Sequence, residues 1–155
     1  MTNEKLIKQA FSKAANYCSK AEKCNFDVYK YLEKYDYEQE IIEIVIKNLN
    51  SENYIDENRY STAYVNDKFK FSAWGKIKIS YMLRQKNIPN KIIDFSLNTI
   101  DNQEYENSLF EILKLKLKNI KSEDKSILKE KLLRFASSRG FEFEIIYKVL
   151  DRLEI

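Results

Sequence analysis

The 155-residue chain carries 27 lysines and arginines against 24 aspartates and glutamates, has no histidine, and holds only two glycines and one proline. So few turn-forming residues exclude an all-β domain. The missing histidine removes His bases, triads and His metal ligands, and two glycines cannot build a phosphate-cradling loop.

The opening run MTNEKLIKQAF places Glu4, Lys5 and Lys8 where a secretory signal needs apolar residues. No apolar run approaches the ~18 residues of a membrane span. A cytoplasmic chain without membrane contact is expected, and a first helix is expected over 4–20. Cys18 and Cys24 match no disulfide or zinc spacing and read as small core residues. Val28 and Leu32, four apart, mark a second helix. Asp36 then offers a residue type that tolerates the left-handed conformation which ends many helices, and Tyr37 follows as an apolar stopper. Ile41-Ile42, Ile46 and Leu49 give one face of a third helix. Glu38, Glu40 and Glu43 read as its charged outer side.

The same pattern then returns. A helix over 56–71 has Phe69 four residues after Val65, so Phe69 reads as core. GKIKIS at 75–80 alternates like a strand when taken alone. Ile79 and Leu83 nevertheless align with Val28 and Leu32, which makes the segment a helix. Asn87 and Ile88 repeat Asp36 and Tyr37, and Pro89 suits an early helical position. Ile92-Ile93, Leu97 and Ile100 repeat the third helix. A helix over 103–119 ends in LKLKLKNI, whose Lys114, Lys116 and Lys118 spread around it. Leu132, Ala136, Gly140, Phe141, Ile145-Ile146, Leu150 and Leu153 complete the third copy. The offsets between the Ile-Ile pairs are 51 and 53 residues. The expected fold is therefore all-α: three tandem three-helix repeats, 1–55, 56–101 and 102–155, in an elongated and curved array. No cofactor or metal site is expected, and the chain is expected to be monomeric.

The run YIDENRYSTAYVNDKFKFSAWGKIKISYMLRQKNIPNKIIDFSL resembles the signature region of the RecX family. Its marks are Asp56, Arg59-Tyr60, Ala63-Tyr64-Val65, Gly75, Ile79, and Leu83 through Ile88. LLRFASSRGFEFEIIYKVL at 132–150 resembles the family's last repeat, and the first repeat matches more loosely. Asn87 stands where the family usually has glycine. Lys68, Lys76 and Lys78 stand where it often has arginine, which alters any bidentate contact to carboxylate or phosphate. The resemblance implies an all-helical, non-enzymatic regulator of the recombinase RecA. Such a regulator would lie in the groove of the RecA–DNA filament across neighbouring subunits and lower its ATPase and strand-exchange activity.

Residues 68–92 hold seven basic residues and no acidic one, while the rest of the chain mixes the two signs. A basic strip in the middle unit would meet acidic residues of a filament or DNA phosphates inside it. The candidate partner-binding residues are Lys68, Lys70, Trp74, Lys76, Lys78, Arg84, Lys86 and Lys91. Helical spacing splits Lys76 and Lys86 from Lys78 and Arg84 onto two flanks. Trp74 either plugs a joint between units or anchors a partner. Two other functions compete: a stand-alone nucleic-acid-binding module, since Lys68 and Lys70 interleave with Phe69 and Phe71, and a helical adaptor for another protein.

Overall fold

In the computed structural model, which describes residues 2–155, the chain forms nine helices and no strand among the described residues: α1 (Asn3–Lys20), α2 (Asn25–Glu33), α3 (Gln39–Ser51), α4 (Glu57–Lys70), α5 (Lys76–Gln85), α6 (Asn90–Leu97), α7 (Asn102–Lys118), α8 (Lys125–Ser138) and α9 (Phe143–Arg152). Local chemistry sets the starts. The Thr2, Asp56 and Asp101 side chains accept hydrogen bonds from first-turn amides of α1, α4 and α7, filling the orphan donors that every helix start leaves. Packing runs in threes: α1 lies on α2 and α3, α4 on α5 and α6, and α7 on α8 and α9. None of the described helices is long and apolar enough to cross a membrane.

The three aligned turns are left-handed, as their residue types require: φ is 63° at Asp36, 60° at Asn87 and 93° at Gly140. At the second and third turns the next residue's amide reaches back five positions. Ile88 donates to the Leu83 carbonyl and Phe141 to that of Ala136, each at 3.2 Å, as in a Schellman cap. Val28, Ile79 and Leu132 are fully buried, as are Leu32, Leu83 and Ala136. The GKIKIS segment is helical from Lys76 onward, with Gly75 as its N-cap. Pro89 sits one step earlier than expected, as the N-cap of α6 with an extended ψ of 144°.

The third-helix register needs one correction. Ile46 and Leu97 are only half-buried, while Val45, Ser96 and Val149 are fully buried. The inward position lies three after the second isoleucine. Ser96 hides it in the middle unit, where its hydroxyl donates to the Ile92 carbonyl at 3.0 Å and so satisfies itself inside the helix.

The core is in two pieces. One is built from α1–α3 with Ile55. The other runs continuously through α4–α9 and also takes in Cys24 from the start of α2. Two different joints account for this division. Between the second and third triplets the backbones themselves touch. Gly75 N–H donates to the Arg139 carbonyl at 2.8 Å, and Ile77 N–H to the Gly140 carbonyl at 2.9 Å. A Cβ on Gly75 would overlap the Gly140 carbonyl and the Phe141 amide; a Cβ on Gly140 would overlap Lys78. The chain's only two glycines thus face each other. Arg139 adds a hydrogen bond from its guanidinium to the Ser72 carbonyl at 2.9 Å. Tyr105, 2% exposed, accepts from the Lys76 amide at 2.8 Å and donates to the Glu142 carboxylate.

Between the first and second triplets the joint is made by side chains. Cys24 plugs into the larger core. Around it Asn25 N–H donates to Glu57 at 3.2 Å, Arg59 pairs with Glu22 at 2.9 Å, and Lys86 pairs with Asp27. Burial pushes the Cys24 thiol up to about 12 and raises that of Cys18 as well. Cys18, however, near the end of α1, is only half-buried, packed on the edge of the first core and not inside it. It is therefore not the core residue expected.

Three outcomes follow from this packing. Gly75→Ala should lower stability to urea by about 1–3 kcal/mol, the range for forcing a carbon into a packed interior. Gly140→Val should cost at least as much, because the left-handed penalty adds to the clash. Asn87→Gly should stay within about 0.5 kcal/mol of the parent. A Gly75→Ala protein as stable as the parent would mean that the two turns do not touch. In alkylation at pH 8 followed by peptide mass mapping, Cys18 should label first and Cys24 only on unfolding; equal rates in the folded protein would contradict the plugged joint. Finally, Lys86→Ala should cost about 1–3 kcal/mol, since it leaves the mostly buried Asp27 carboxylate without its cation. Arg84→Ala should change stability by no more than about 0.5 kcal/mol, and equal thermal shifts for the two would refute the distinction.

Candidate partner-binding surface

The acid-free stretch of sequence does not form one uniform face. Four of its seven cations are held by the protein's own rings or charges. Lys68 and Lys78 bring their ammonium groups to 4.9 and 4.4 Å from the centre of the Trp74 ring, and Lys68 also lies 5.5 Å from Tyr64. Lys76 lies 4.9 Å from the ring of Tyr105. Lys86 lies 5.4 Å from Phe26 and is bound to Asp27. Burial lowers the pKa of Lys86, but the Asp27 carboxylate outweighs it, and the net shift is upward. Such cation–ring contacts contribute roughly 0.5–1 kcal/mol each at half-exposed sites. Lys70, Arg84 and Lys91 are the exposed ones. Among the described residues Arg84 forms no ion pair and donates to the Asn90 side-chain oxygen at 3.2 Å.

The two flanks expected on α5 do not separate held cations from exposed ones. Lys76 and Lys86 lie at opposite ends of the helix, beside the core seam, and reach the third and first triplets respectively. Lys78 points away from Ile79 and Leu83 but is half-buried, its ammonium on the Trp74 ring and its backbone against Gly140, so Arg84 alone of the four is exposed. Trp74 belongs to the α4–α5 connection. It is half-buried against the shared core, its amide donates to the Lys68 carbonyl at 3.0 Å, and two lysines cover its ring. Phe69 is core, 7% exposed.

Sequence reasoning missed the apolar part of this surface. Ile77 and Tyr81, 54% and 57% exposed, stand four apart on α5, and Arg84 continues the same face. The spacing 77, 81, 84 was visible, but it lies opposite Ile79 and Leu83, and those two account for the hydrophobic pattern of the helix. Phe71 at the end of α4 and Phe95 on α6 are also largely exposed. The middle triplet therefore presents large apolar side chains together with unpaired cations, the composition of a protein-docking face.

Residues 56–97 match the model of the second three-helix domain of RecX, and residues 103–150 that of the third. The chain is 35% identical to the regulatory protein RecX of Clostridium tetani over 147 residues, covering 84% of this chain and 67% of that one. It is 32% identical to the regulatory protein RecX of Streptococcus agalactiae serotype V over 139 residues, covering 90% of this chain and 53% of that one. The chain thus spans about half the length of the streptococcal relative. The backbone is similar to the crystal structure of RecX from Lactobacillus salivarius, with a TM-score of 0.87, 20% identity and 96% of both chains covered. A second crystal structure of a regulatory protein RecX gives a TM-score of 0.89 at 21% identity, covering 96% of this chain and 73% of that one. On the matched domains and these identities, the chain belongs to the RecX family of regulatory proteins.

Proposed function

We propose that this chain is a non-catalytic regulator that binds along the RecA–DNA filament and lowers its ATP hydrolysis and strand exchange. In this reading the units 1–55, 56–101 and 102–155 act as successive contact bodies. The observation that carries it is the outward face of α5, where Ile77, Tyr81 and Arg84 stand exposed on the helix that joins all three triplets. A partner built of repeated subunits suits an array of repeated units. Several modest contacts on one rigid body then reinforce each other through effective concentration.

The rival reading, a stand-alone nucleic-acid module, is disfavoured by the last helices of the first and third triplets. The exposed side of α3 carries Glu40 and Glu43, and that of α9 carries Glu144 and Asp151. Helices meant to enter a DNA groove would set those carboxylates against phosphates. The adaptor reading shares the same α5 face and differs only in partner.

The test is ATP hydrolysis by RecA on single-stranded DNA, titrated with this chain. Wild type should inhibit. Tyr81→Ala with Lys70→Glu, Arg84→Glu and Lys91→Glu should need at least about tenfold more protein for the same inhibition, equivalent to ~1.4 kcal/mol of lost binding. Its melting should change little, since exposed charges contribute a few tenths of a kcal/mol each. Lys30→Glu with Lys34→Glu should inhibit nearly as wild type does. No inhibition by wild type rejects the RecA reading, and equal inhibition by all three proteins rejects the α5 face.

A further inference from the structure

The outward side of α9 carries large apolar side chains that the core does not use. Phe143 and Tyr147 are 57% and 55% exposed. They stand four apart, with nearly parallel rings whose centres are 6.4 Å apart. Asp151, a further four residues on, and Glu144 complete a sector opposite the buried Ile146 and Val149. The repeat shows that packing does not require rings here. At the positions of Phe143 and Tyr147 the first triplet has Gln39 and Glu43, and the middle triplet has Asn90 and Asp94. Of the three copies, only the third places aromatic residues on this face.

The charges around these rings are sorted by sign. The two cations of α9 turn to α7: Lys148 pairs with Glu106 at 2.9 Å, while Arg152 lies 4.4 Å from the centre of the Phe110 ring and donates to Asn107 at 3.2 Å. Glu144 and Asp151 are exposed and form no ion pair among the described residues. Glu144 stands in the first turn, where a carboxylate complements the helix dipole. Asp151 stands in the last turn, where it opposes the dipole. The α9 face is therefore aromatic and acidic. The α5 face is apolar and basic, with Ile77, Tyr81 and the unpaired Arg84. One chain presents both halves of a complementary pair.

We propose that the α9 face of one copy receives the α5 face of a second copy, head to tail. Arg84 would lie between the Asp151 carboxylate and the Tyr147 ring, both of which suit a guanidinium, and Ile77 and Tyr81 would cover Phe143. Like-with-like pairing is opposed by charge: α5 on α5 sets Arg84 against Arg84, and α9 on α9 sets carboxylate against carboxylate. The contact is thus heterologous, and each joined pair keeps one free face of each kind unless the arrangement closes on itself. A contact between two helix faces falls below ~1,200 Å², the weak end of protein interfaces, and a Kd of roughly 10–100 µM is expected. In dilute solution the chain stays the monomer expected from its sequence. Where copies are concentrated, association withdraws the α5 face from any other partner. The inference rests on the two exposed faces alone and does not require the RecA reading.

The experiment is sedimentation equilibrium of the full chain, without recombinase or nucleic acid, from about 5 to about 500 µM, a span that brackets the expected Kd. The average mass of wild type should rise above the 18.6 kDa of one copy. Two variants each remove one face: Tyr81→Ala with Arg84→Glu, and Phe143→Ala with Tyr147→Ala. Each alone should associate at least about tenfold more weakly, the effect of truncating central interface anchors. Their equimolar mixture should regain a one-to-one contact of wild-type strength, since each supplies the face the other lacks, and this recovery also shows that both fold. Glu144→Gln with Asp151→Gln should weaken association at least about threefold at low salt and less at high salt, where charges are screened. Glu40→Gln with Glu43→Gln removes the same charge from α3 and should change it less than about twofold. A wild type that keeps the mass of one copy throughout overturns the proposal and leaves the α9 face to a different basic partner. Loss in only one of the two face variants overturns it in favour of a like-with-like contact. A mixture that fails to associate, or equal losses from the two carboxylate pairs, overturns it as well.

Discussion

The close approach of two peptide backbones at Gly75 and Gly140 is the constraint on which the rest of the molecule depends. A Cβ on Gly75 would fall on the Gly140–Phe141 peptide and a Cβ on Gly140 on Lys78, so the chain's two glycines are both used in one place. The result is that α5 begins on the third triplet, not merely near it. The shared core across α4–α9 follows from that approach, as does the Tyr105 hydroxyl joining the Lys76 amide to Glu142. Burial, and then the Glu142 hydrogen bond, hold that phenol well above its ordinary pKa. The tyrosine therefore stays neutral, as a hydroxyl that both donates and accepts must.

The other joint obeys different physics. One small thiol enters the larger core, and charged side chains around it set the orientation of the first triplet. Asp27 serves twice there. One carboxylate oxygen caps the Cys24 amide and the other receives Lys86. A joint of this kind responds to salt and to single charge changes, whereas the glycine joint responds to volume. The molecule thus couples its three triplets through two mechanisms that can be perturbed independently.

Much of the fold was legible in the chain because repetition makes each ambiguous segment answerable by its two copies. GKIKIS was resolved as a helix only through Val28 and Leu132, and the left-handed turns through the shared chemistry of Asp36, Asn87 and Gly140. What remained hidden lay where copies differ or where distant segments meet. Ser96 disguised a buried position that Val45 and Val149 show openly. The facing of Gly75 and Gly140, 65 positions apart in the chain, leaves no local signal. The candidate surface was only half legible for the same reason. A linear count of charges found the acid-free stretch, but the carboxylate that answers Lys86 comes from α2 and the ring beneath Lys76 from α7. The exposed Ile77 and Tyr81 were overlooked because a helix with apolar residues on two faces looks, in sequence, like a helix with one.

Helix α5 therefore works as a measured strut. It starts at a backbone contact with the third triplet and ends, ten residues later, beside the lysine that grips the first. At 1.5 Å per residue the strut is about 15 Å long. Adding or removing one residue would move its far end by that single rise and swing Lys86 through about 100°, away from Asp27. The separation of the outer triplets is thus set in whole helical turns rather than continuously. A binding partner with its own fixed spacing would meet a ruler whose divisions cannot be shifted by single insertions, while the connection between α7 and α8 could lengthen without altering the scale.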